Sequence, residues 1–362
     1  MKAAVYDTFG GPITVRDVPI PMLSDKTGIL LQVHAAGVCR SDWHGWKGHD
    51  GDVIEHGLPF IPGHELSGVV VSVGANVTKL NPGDRVAVPF ILSCGACRYC
   101  SHYKRPTVCT QQEQPGFTRL GGFAEYVVLP RADRNIHKLP DAVSFQQAAA
   151  LGCRFTTAYR AVWQQGGLTA DSSIVIFGCG GVGLSCVMLA KAKSAVQIIA
   201  VDVNEAALQK AVQLGATDQV NVTGMDQDEI IRAVKKLTVN GHGADVTVDA
   251  AGFASTCENA VHCARPAGRM VQVGLPIGEQ RPQVPMGLVA GKELELVGSH
   301  GFAADDLPEL LQLVASGVLD PSKLVERQVS LQEGAQAIQD MDHGSPLGIT
   351  MVTQFRSEKS RL

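Results

Sequence analysis

The chain has 362 residues, of which 45% are hydrophobic, which is enough for roughly two to three domains with buried cores. It carries 31 Lys and Arg against 35 Asp and Glu, and it has no basic block or basic aromatic stripe, which argues against a nucleic-acid partner. No apolar run approaches the roughly 18 to 20 residues that span a bilayer, and no signal peptide is recognisable. We therefore expect a cytoplasmic protein with a small, mostly neutral partner and no membrane partner.

Residues 1 to about 150 are rich in Gly, Pro and short β-branched runs such as IPGHELSGVVVSVG, a pattern that predicts a β-rich unit with long loops and few helices. Near its beginning, AAGVCRSDWH places a thiol, a hydroxyl, a carboxylate and an imidazole within six residues, from Cys39 to His44. Taken alone, these two residues fit a metal pair, a nucleophile with its base, or a buried thiol beside a surface histidine. On this fragment alone, a buried thiol beside a surface histidine is the favoured interpretation.

Ten cysteines without a signal peptide indicate reduced thiols and metal ligands rather than a disulfide framework. Cys94, Cys97 and Cys100 have CxxCxxC spacing, and Cys109 follows. Four thiolates in a short loop can enclose zinc with no open position, which makes a structural site. A redox CxxC is the competing interpretation, but a triple repeat with a fourth cysteine favours a metal.

From about residue 173, continuous apolar runs alternate with segments of helical spacing, which predicts a parallel sheet with helical crossovers. The runs are SIVIFG, QIIAVD, DQVNV, ADVTVDAAG, RMVQVGL and ELELVGS. The tail after residue 303 has helical spacing and no obvious sheet of its own, so we expect it to rejoin the first unit.

The first of these runs leads into a GxGxxG turn, which fits the cradle of a dinucleotide pyrophosphate. A GxGxxG turn alone is weak evidence, but here a strand, the turn, a helix and a second strand ending in Asp202 follow in order. Asp202 followed by Val203 rather than Arg favours NAD over NADP. The candidate residues of the turn are Gly178, Gly180, Gly181, Val182 and Gly183.

Together these motifs resemble the zinc-dependent medium-chain alcohol dehydrogenase family over essentially the whole chain. The resemblance rests on CRSDWH at 39–44, PGHEL at 62–66, the four-cysteine segment, LGC at 151–153 with TTAY at 156–159, GxGxxG with Asp202, and VGL at 273–275. It implies an α/β fold with a doubly wound parallel Rossmann sheet and a β-rich GroES-like catalytic domain. The implied catalytic domain spans 1–154 and 298–362 with a structural zinc lobe at about 94–109, and the NAD-binding domain spans 155–297.

The resemblance also implies two zinc ions per chain. Cys39, His64 and Cys153 are the implied ligands of a catalytic zinc, with water or the alcohol oxygen in the fourth position, while Cys94, Cys97, Cys100 and Cys109 hold a structural zinc. Glu65 would lie behind the catalytic metal. Asp42 would accept a hydrogen bond from the His64 ring and fix its orientation.

For the cofactor, the family pattern implies that Arg40 faces the NAD pyrophosphate and that the backbone of Val273 and Leu275 holds the nicotinamide amide. The proton of the alcohol would pass to Ser41, through the nicotinamide ribose, and on to His44. Two departures stand out: the segment between Cys100 and Cys109 is one residue longer than is usual in the family, and Ile349 replaces a frequent arginine, which puts one phosphate contact in doubt.

The implied reaction is reversible hydride transfer between NAD and an alcohol. Cys153 favours an alcohol dehydrogenase, because polyol and threonine dehydrogenases commonly have glutamate there. Trp43, Trp46 and Phe90 suggest an apolar pocket for primary, aromatic or medium-length alcohols and their aldehydes, although each residue fits core packing equally well.

The alternatives are a secondary-alcohol, ketone or polyol dehydrogenase, or a non-catalytic NAD-binding protein with structural metals, which the pairing of Ser41 with His44 argues against. A homodimer or homotetramer is a family expectation. The terminal Ser360-Arg361-Leu362 resembles a peroxisomal address, but three such residues arise easily by chance.

Overall fold

The structure is a computed structural model that describes residues 1–276, 281–344 and 346–356. The terminal Ser-Arg-Leu lies outside these residues. The strands are β1 (Lys2–Val5), β2 (Thr14–Asp17), β3 (Ile29–Val38), β4 (Glu65–Val73), β5 (Arg85–Val88), β6 (Tyr126–Leu129), β7 (His137–Lys138), β8 (Ser173–Phe177), β9 (Gln197–Asp202), β10 (Asp218–Asn221), β11 (Ala244–Asp249), β12 (Ala264–Gln272), β13 (Glu295–Gly298), β14 (Val325–Ser330) and β15 (Ile349–Gln354).

The helices are α1 (Arg40–Trp46), α2 (Gly51–His56), α3 (Arg98–Ser101), α4 (Ala132–Asn135), α5 (Phe145–Ala150), α6 (Thr156–Tyr159), α7 (Gly181–Ala192), α8 (Glu205–Leu214), α9 (Gln227–Leu237), α10 (Ala254–Cys263), α11 (Met286–Gly291), α12 (Leu307–Ala315) and α13 (Leu331–Asp340). Two π-helical segments cover Leu151–Phe155 and Arg160–Gln165. Short 3₁₀ turns cover Pro106–Val108, Val239–Gly241, Ala304–Asp306, Pro321–Leu324 and Met341–His343. None of the described helices is long and apolar enough to cross a membrane.

The chain divides into two compact units, with junctions after Thr156 and after His300. The sequence predicted these junctions after residues 154 and 297. The first unit is Met1–Thr156 with the chain from Gly301 onward, and the second is Thr157–His300.

The first unit is built on a sheet with strand order β14-β15-β3-β4-β5-β7, on which β6 also pairs with β3, and on the separate pair β1-β2. Within the larger sheet only β14 and β15 are parallel. Apolar side chains of β3 and β4 alternate into a core that includes the fully buried Leu31, Leu66, Phe60 and Phe123. Because β3 is central, the residues at its carboxyl end are held firmly, and Cys39 follows that end directly.

The first 150 residues form the β-rich unit that the sequence predicts, and capping carboxylates and hydroxyls such as Asp50 and Ser144 start short helices in its connecting loops. One sequence expectation about this unit is corrected. The tail supplies β14 and β15 as well as helices, and β15 joins β3 in antiparallel register. Its buried residues Ile349 to Val352 had been missed as a strand because the neighbouring helical spacing dominated.

The second unit is an all-parallel sheet with strand order β10-β9-β8-β11-β12-β13. The order reverses between β8 and β11, and this is the doubly wound topology that binds ligands at the carboxyl ends of the strands. Strand β8 is buried at every residue, as expected for a strand covered by helices on both faces.

Candidate active site and metal centres

Three elements of the first unit bring together a cluster of possible metal ligands. Cys39 lies between β3 and α1, His64 immediately precedes β4, and Cys153 lies in the π-helical segment after α5. The ligand atoms of these three residues and of Glu65 all lie within 4.8 Å of one another. A π-helical turn inside a helical stretch is frequent at functional sites. The structure thus brings together the predicted catalytic ligands.

The buried Asp42 carboxylate orients this cluster. Its Oδ1 atom accepts hydrogen bonds from His64 Nδ1 at 2.9 Å and from the Gly63 amide at 3.0 Å. Its Oδ2 atom accepts from the Cys39 amide at 2.9 Å. His64 is fully buried and its Nε2 atom has no hydrogen-bond partner. A buried ring nitrogen without a partner, beside two thiols, is the arrangement that a metal ion satisfies.

The two thiols are electrostatically coupled. A hydrogen bond from Cys153 lowers the pKa of Cys39, and the His64 ring and the Arg154 charge act in the same direction. The same thiol contact and burial raise the pKa of Cys153. Zinc takes cysteine as thiolate and histidine as neutral imidazole. One nitrogen and two sulfur donors, with a fourth position open, therefore fit a catalytic zinc.

Glu65 forms a buried ion pair that the sequence analysis missed. The Arg154 guanidinium donates to Glu65 Oε1 from Nε at 3.1 Å and to Oε2 at 3.0 Å, and it also donates to the carbonyl of Val38 at 2.7 Å. Burial raises the pKa of Glu65 to about 7, and the charge of Arg154 opposes that rise. Both carboxylate oxygens of Glu65 therefore already accept hydrogen bonds from Arg154. The pair also ties the segment after Cys153 to the end of β3 and the beginning of β4. Its only sequence signal is the arginine directly after Cys153.

Glycines make room for this carboxylate. A Cβ atom on Gly37 would lie 2.3 Å from Glu65 Oε2, and a Cβ on Gly152 would lie 2.6 Å from Glu65 Cβ. Because both contacts are far inside van der Waals distance, any larger residue at either position would displace Glu65.

The four-cysteine lobe has the geometry of a tetrathiolate zinc site. Neighbouring sulfur atoms lie 3.4 Å apart for Cys94 and Cys109, 3.5 Å for Cys97 and Cys100, and 3.8 Å for Cys97 and Cys109. A zinc tetrahedron with Zn–S bonds of about 2.3 Å has edges of about 3.8 Å. Backbone amides of Cys97 and Ala96 donate to Cys94 Sγ.

The unusual length of this lobe does not separate its ligands. Between Cys100 and Cys109 the chain passes through a residue with positive φ, Lys104, and the short turn Pro106–Val108. The fourth sulfur still lies beside the first. Hydrogen bonding, first from the backbone of Cys100, lowers the pKa of Cys97 to about 5, which favours the thiolate that zinc requires.

In the second unit, the turn after β8 has the shape that a dinucleotide cradle requires. Gly178 has φ of 94°, and a Cβ on Gly183 would lie 1.8 Å from the Gly178 carbonyl oxygen, while Gly180 faces open space. Gly181, Val182 and Gly183 begin α7. The Asp202 carboxylate accepts from the amides of Cys179 at 2.6 Å and Asn204 at 2.8 Å. Asp202 therefore lies directly beside the glycine turn.

The loops after β11 and β12 are joined by the buried Asp249 carboxylate, which sequence reasoning missed. Asp249 accepts from the amides of Ala251 and Gly252 at 3.0 Å and from Gln272 at 2.6 Å. Its backbone carbonyl accepts from the amides of Val273 and Gly274. This network fixes the backbone around Val273 and Leu275 at the carboxyl ends of the strands.

The remaining predicted residues of the first unit lie on α1 and around it. Arg40 places its guanidinium 3.5 Å from the centre of the Trp43 ring and donates to the Met341 carbonyl. Ser41 and His44 are half-buried. Burial, together with the nearby Arg40 and His49, lowers the pKa of His44.

Of the predicted pocket residues, Phe90 lies beside His64, whereas Trp46 lies in the core. The Phe90 ring lies 6.1 Å from the His64 ring, edge to face, and Phe117, which had not been predicted, lies 4.9 Å from it. The interpretation of Trp46 as a pocket residue is corrected: it lies in the core, 3% exposed, and its N–H donates to the Gly11 carbonyl, so the alternative of core packing holds for it. Ile349 is fully buried at the beginning of β15.

Comparison with known protein families agrees with this geometry. The model of the alcohol dehydrogenase GroES-like domain matches residues 25–141, and that of the zinc-binding dehydrogenase matches residues 181–316. An alcohol dehydrogenase of Geobacillus stearothermophilus is 36% identical over 319 residues, covering 88% of this chain and 90% of its own. D-xylulose reductase A of Aspergillus oryzae is 32% identical over 340 residues, covering 92% of this chain and 91% of its own.

A solved structure has the same architecture. The alcohol dehydrogenase TADH of Thermus sp. ATN1 superposes with a TM-score of 0.88 at 31% sequence identity, covering 98% of this chain and all (100%) of its own. The chain belongs to the zinc-dependent medium-chain alcohol dehydrogenase family. It is a zinc-dependent oxidoreductase of the alcohol or polyol dehydrogenase type, its cofactors are zinc and NAD, and the predicted fold class is confirmed.

Cys97→Ser should remove one of two zinc ions and lower the unfolding temperature, since the lobe would lose a ligand that closes its tetrahedron. Metal analysis of the purified variant and thermal unfolding measure the two effects. Cys257→Ser, at a buried cysteine of α10, is the control and should keep both ions. Full zinc content in the Cys97 variant would contradict the assignment of the lobe.

Arg154→Met should destabilise the protein by about 3–5 kcal/mol, because it leaves the Glu65 carboxylate buried and unpaired. Adding Glu65→Gln should recover a large part of this loss. Urea unfolding of both variants measures the effect, with Arg16→Met, which breaks an exposed pair with Asp7, as a control that changes little. Equal destabilisation by the single and double variants would show that the ion pair is not the cause.

Proposed function

We propose that this protein catalyses reversible hydride transfer between NAD and a primary alcohol, with aromatic or medium-length alcohols and their aldehydes as substrates. The observation that carries the proposal is the donor set at the buried cluster. Its third donor is the thiol of Cys153, while the neighbouring carboxylate of Glu65 is occupied by Arg154. Two thiols and an imidazole leave one position for an alcohol oxygen.

The residues of the first unit would divide the work as follows. Cys39, His64 and Cys153 would hold zinc, and Asp42 would keep the His64 ring turned so that Nε2 points to the metal position. When bound, zinc supplies a Lewis acid for the alcohol oxygen and NAD supplies the hydride acceptor. Ser41 and His44 would carry away the proton of the alcohol.

In the second unit, the turn from Gly178 to Gly183 and the beginning of α7 would hold the pyrophosphate of NAD, with Asp202 at the adenosine ribose. The backbone of Val273 and Leu275 would hold the nicotinamide amide. The role of Arg40 at the pyrophosphate stays a prediction; in the structure its guanidinium lies over the Trp43 ring. The predicted homodimer or homotetramer stays a prediction.

The aromatic rings beside His64 support an apolar substrate. Phe90 and Phe117 are 8% and 6% exposed, and both pack against the imidazole of a proposed ligand. A substrate carbon chain entering there would meet ring surfaces that exclude water. The hydroxyls of a polyol would find no partner on these rings.

Polyol oxidation is the second candidate, favoured by the 32% identity to D-xylulose reductase A. A panel of benzyl alcohol, 1-hexanol, 2-butanol and xylitol, each with NAD, separates the two. We expect kcat/KM for the first two to exceed that for xylitol by at least about tenfold, since each buried hydroxyl without a partner costs about 1–3 kcal/mol.

Cys153→Ser should abolish turnover of every substrate in this panel while the protein stays folded, and Cys257→Ser again serves as the control. A preference for xylitol would favour the polyol candidate. Turnover that survives in the Cys153 variant would contradict the ligand set itself.

Asp202→Gly should reduce the preference for NAD over NADP by about tenfold or more, because removal of a carboxylate beside the ribose removes its repulsion of a 2′-phosphate. The ratio of kcat/KM for the two cofactors measures this. Asp202→Asn keeps an acceptor for the amides of Cys179 and Asn204, so it separates the loss of charge from the loss of these hydrogen bonds. An unchanged ratio in both variants would show that another residue sets the preference.

A further inference from the structure

Two histidines at the end of α1 make a contact that the proposed proton relay does not use. The Nδ1 atoms of His44 and His49 lie 3.3 Å apart. The His49 amide also donates to the His44 carbonyl at 2.9 Å, which fixes the two residues beside each other. His44 is half-buried and His49 is exposed. The pair therefore leads from the interior of the first unit to solvent.

Trp43 holds both imidazoles in place. Its ring meets His44 and His49 edge to face, at centroid distances of 4.9 Å and 5.4 Å. Its N–H donates to Asp342 at 2.7 Å, and the Arg40 guanidinium covers its face. The two histidines are thus packed against an anchored ring. Trp43 was predicted to line the substrate pocket, and in the structure its ring contacts these two histidines and Arg40.

The contact between the two rings has a simple chemical consequence. Each neutral imidazole carries one N–H and one lone pair, so a hydrogen bond between two Nδ1 atoms requires a proton on one of them and a lone pair on the other. An imidazole that gains a proton at Nε2 can release another proton from Nδ1. A positive charge thereby crosses the ring while the ring itself stays in place.

We propose that His49 is the exit group of the relay, receiving at its Nδ1 atom the proton that His44 releases from its own Nδ1. His44 first gains a proton at Nε2, and its Nδ1–H bond breaks as a new N–H bond forms on His49. His49 then gives the proton to water or buffer, and no electrons change hands. This inference rests on the proposed function, since alcohol oxidation supplies the proton. His49 acts through His44 and touches no reacting atom.

The charges around His44 suit a group that passes protons on. Burial lowers its pKa, as do the charges of Arg40 and His49, whereas Cys39 and Asp50 act in the opposite direction. Because the larger influences disfavour the charged ring, His44 gives up a proton readily once His49 can accept it.

The first test follows the titration of histidine Cε1–H signals by NMR in the zinc-loaded protein without NAD. In the unchanged protein, the His44 signal should show two inflections, since its ring shares a hydrogen-bonding proton with a second imidazole. In His49→Gln the second inflection of His44 should be lost. His242→Gln, at an exposed histidine of the second unit, is the matched control and should leave the His44 curve unchanged. An identical His44 curve with and without His49 would overturn the proposal.

The second test measures proton release and NADH formation together, by stopped flow with a pH indicator in weak buffer and benzyl alcohol as substrate. His49→Gln should slow proton release by about tenfold, less than the roughly 100-fold or more that loss of a direct general base costs. Added imidazole should restore the rate, and His242→Gln should behave as the unchanged protein.

The outcomes distinguish a failure of the role of His49 from a failure of the proposed function. Normal NADH formation with unchanged proton release in His49→Gln overturns the role of His49 alone. If the unchanged protein forms no NADH from any alcohol of the panel, the proposed function falls, and the exit role falls with it.

Discussion

The Asp42 carboxylate is the constraint on which the metal cluster depends. A single buried side chain accepts three hydrogen bonds, from Cys39, Gly63 and His64, and so joins the beginning of α1 to the loop before β4. A carboxylate buried at 1% exposure is tolerated only because its oxygens are satisfied by these donors. The same bonds that make Asp42 stable in the interior place the thiol and the imidazole beside each other.

The third donor is brought in by a second buried charge. Glu65 and Arg154 join the end of β3, the beginning of β4 and the segment that carries Cys153. A buried ion pair is weak evidence for net stability, because the desolvation of both charges opposes their attraction. Its value here is geometric: the guanidinium and the Cys153 amide both donate to the carboxylate, so Cys153 can take up few other positions. Two carboxylates thus fix three donors from separate parts of the sequence.

Which features could be predicted from the sequence depends on how far apart along the chain the interacting residues lie. The four-cysteine lobe and the glycine turn are local patterns, so their geometry can be predicted from spacing, together with the strands, the helix and Asp202 that flank the turn. The proposed catalytic ligands span Cys39 to Cys153, and in the sequence analysis only resemblance to a family brought them together. Arg154, Phe117 and Asp249 were missed because their partners lie far along the chain or in the backbone. Trp46 was misplaced because an aromatic residue near a motif carries no sign of which side of a seven-residue helix it occupies.

The second unit uses the same device as the first, although its described residues contain no cluster of possible metal ligands. Asp249 accepts two backbone amides and the Gln272 side chain, so that the loops leaving two adjacent strands are held at their first residues. The close approach is possible only because Gly252 and Gly274 lack side chains, since a Cβ on Gly274 would lie 2.3 Å from the Gly252 amide. The loops that leave the carboxyl ends of parallel strands have backbone N–H groups without partners in the sheet. A carboxylate that accepts hydrogen bonds from these N–H groups fixes the conformation of such loops, as ligand binding requires.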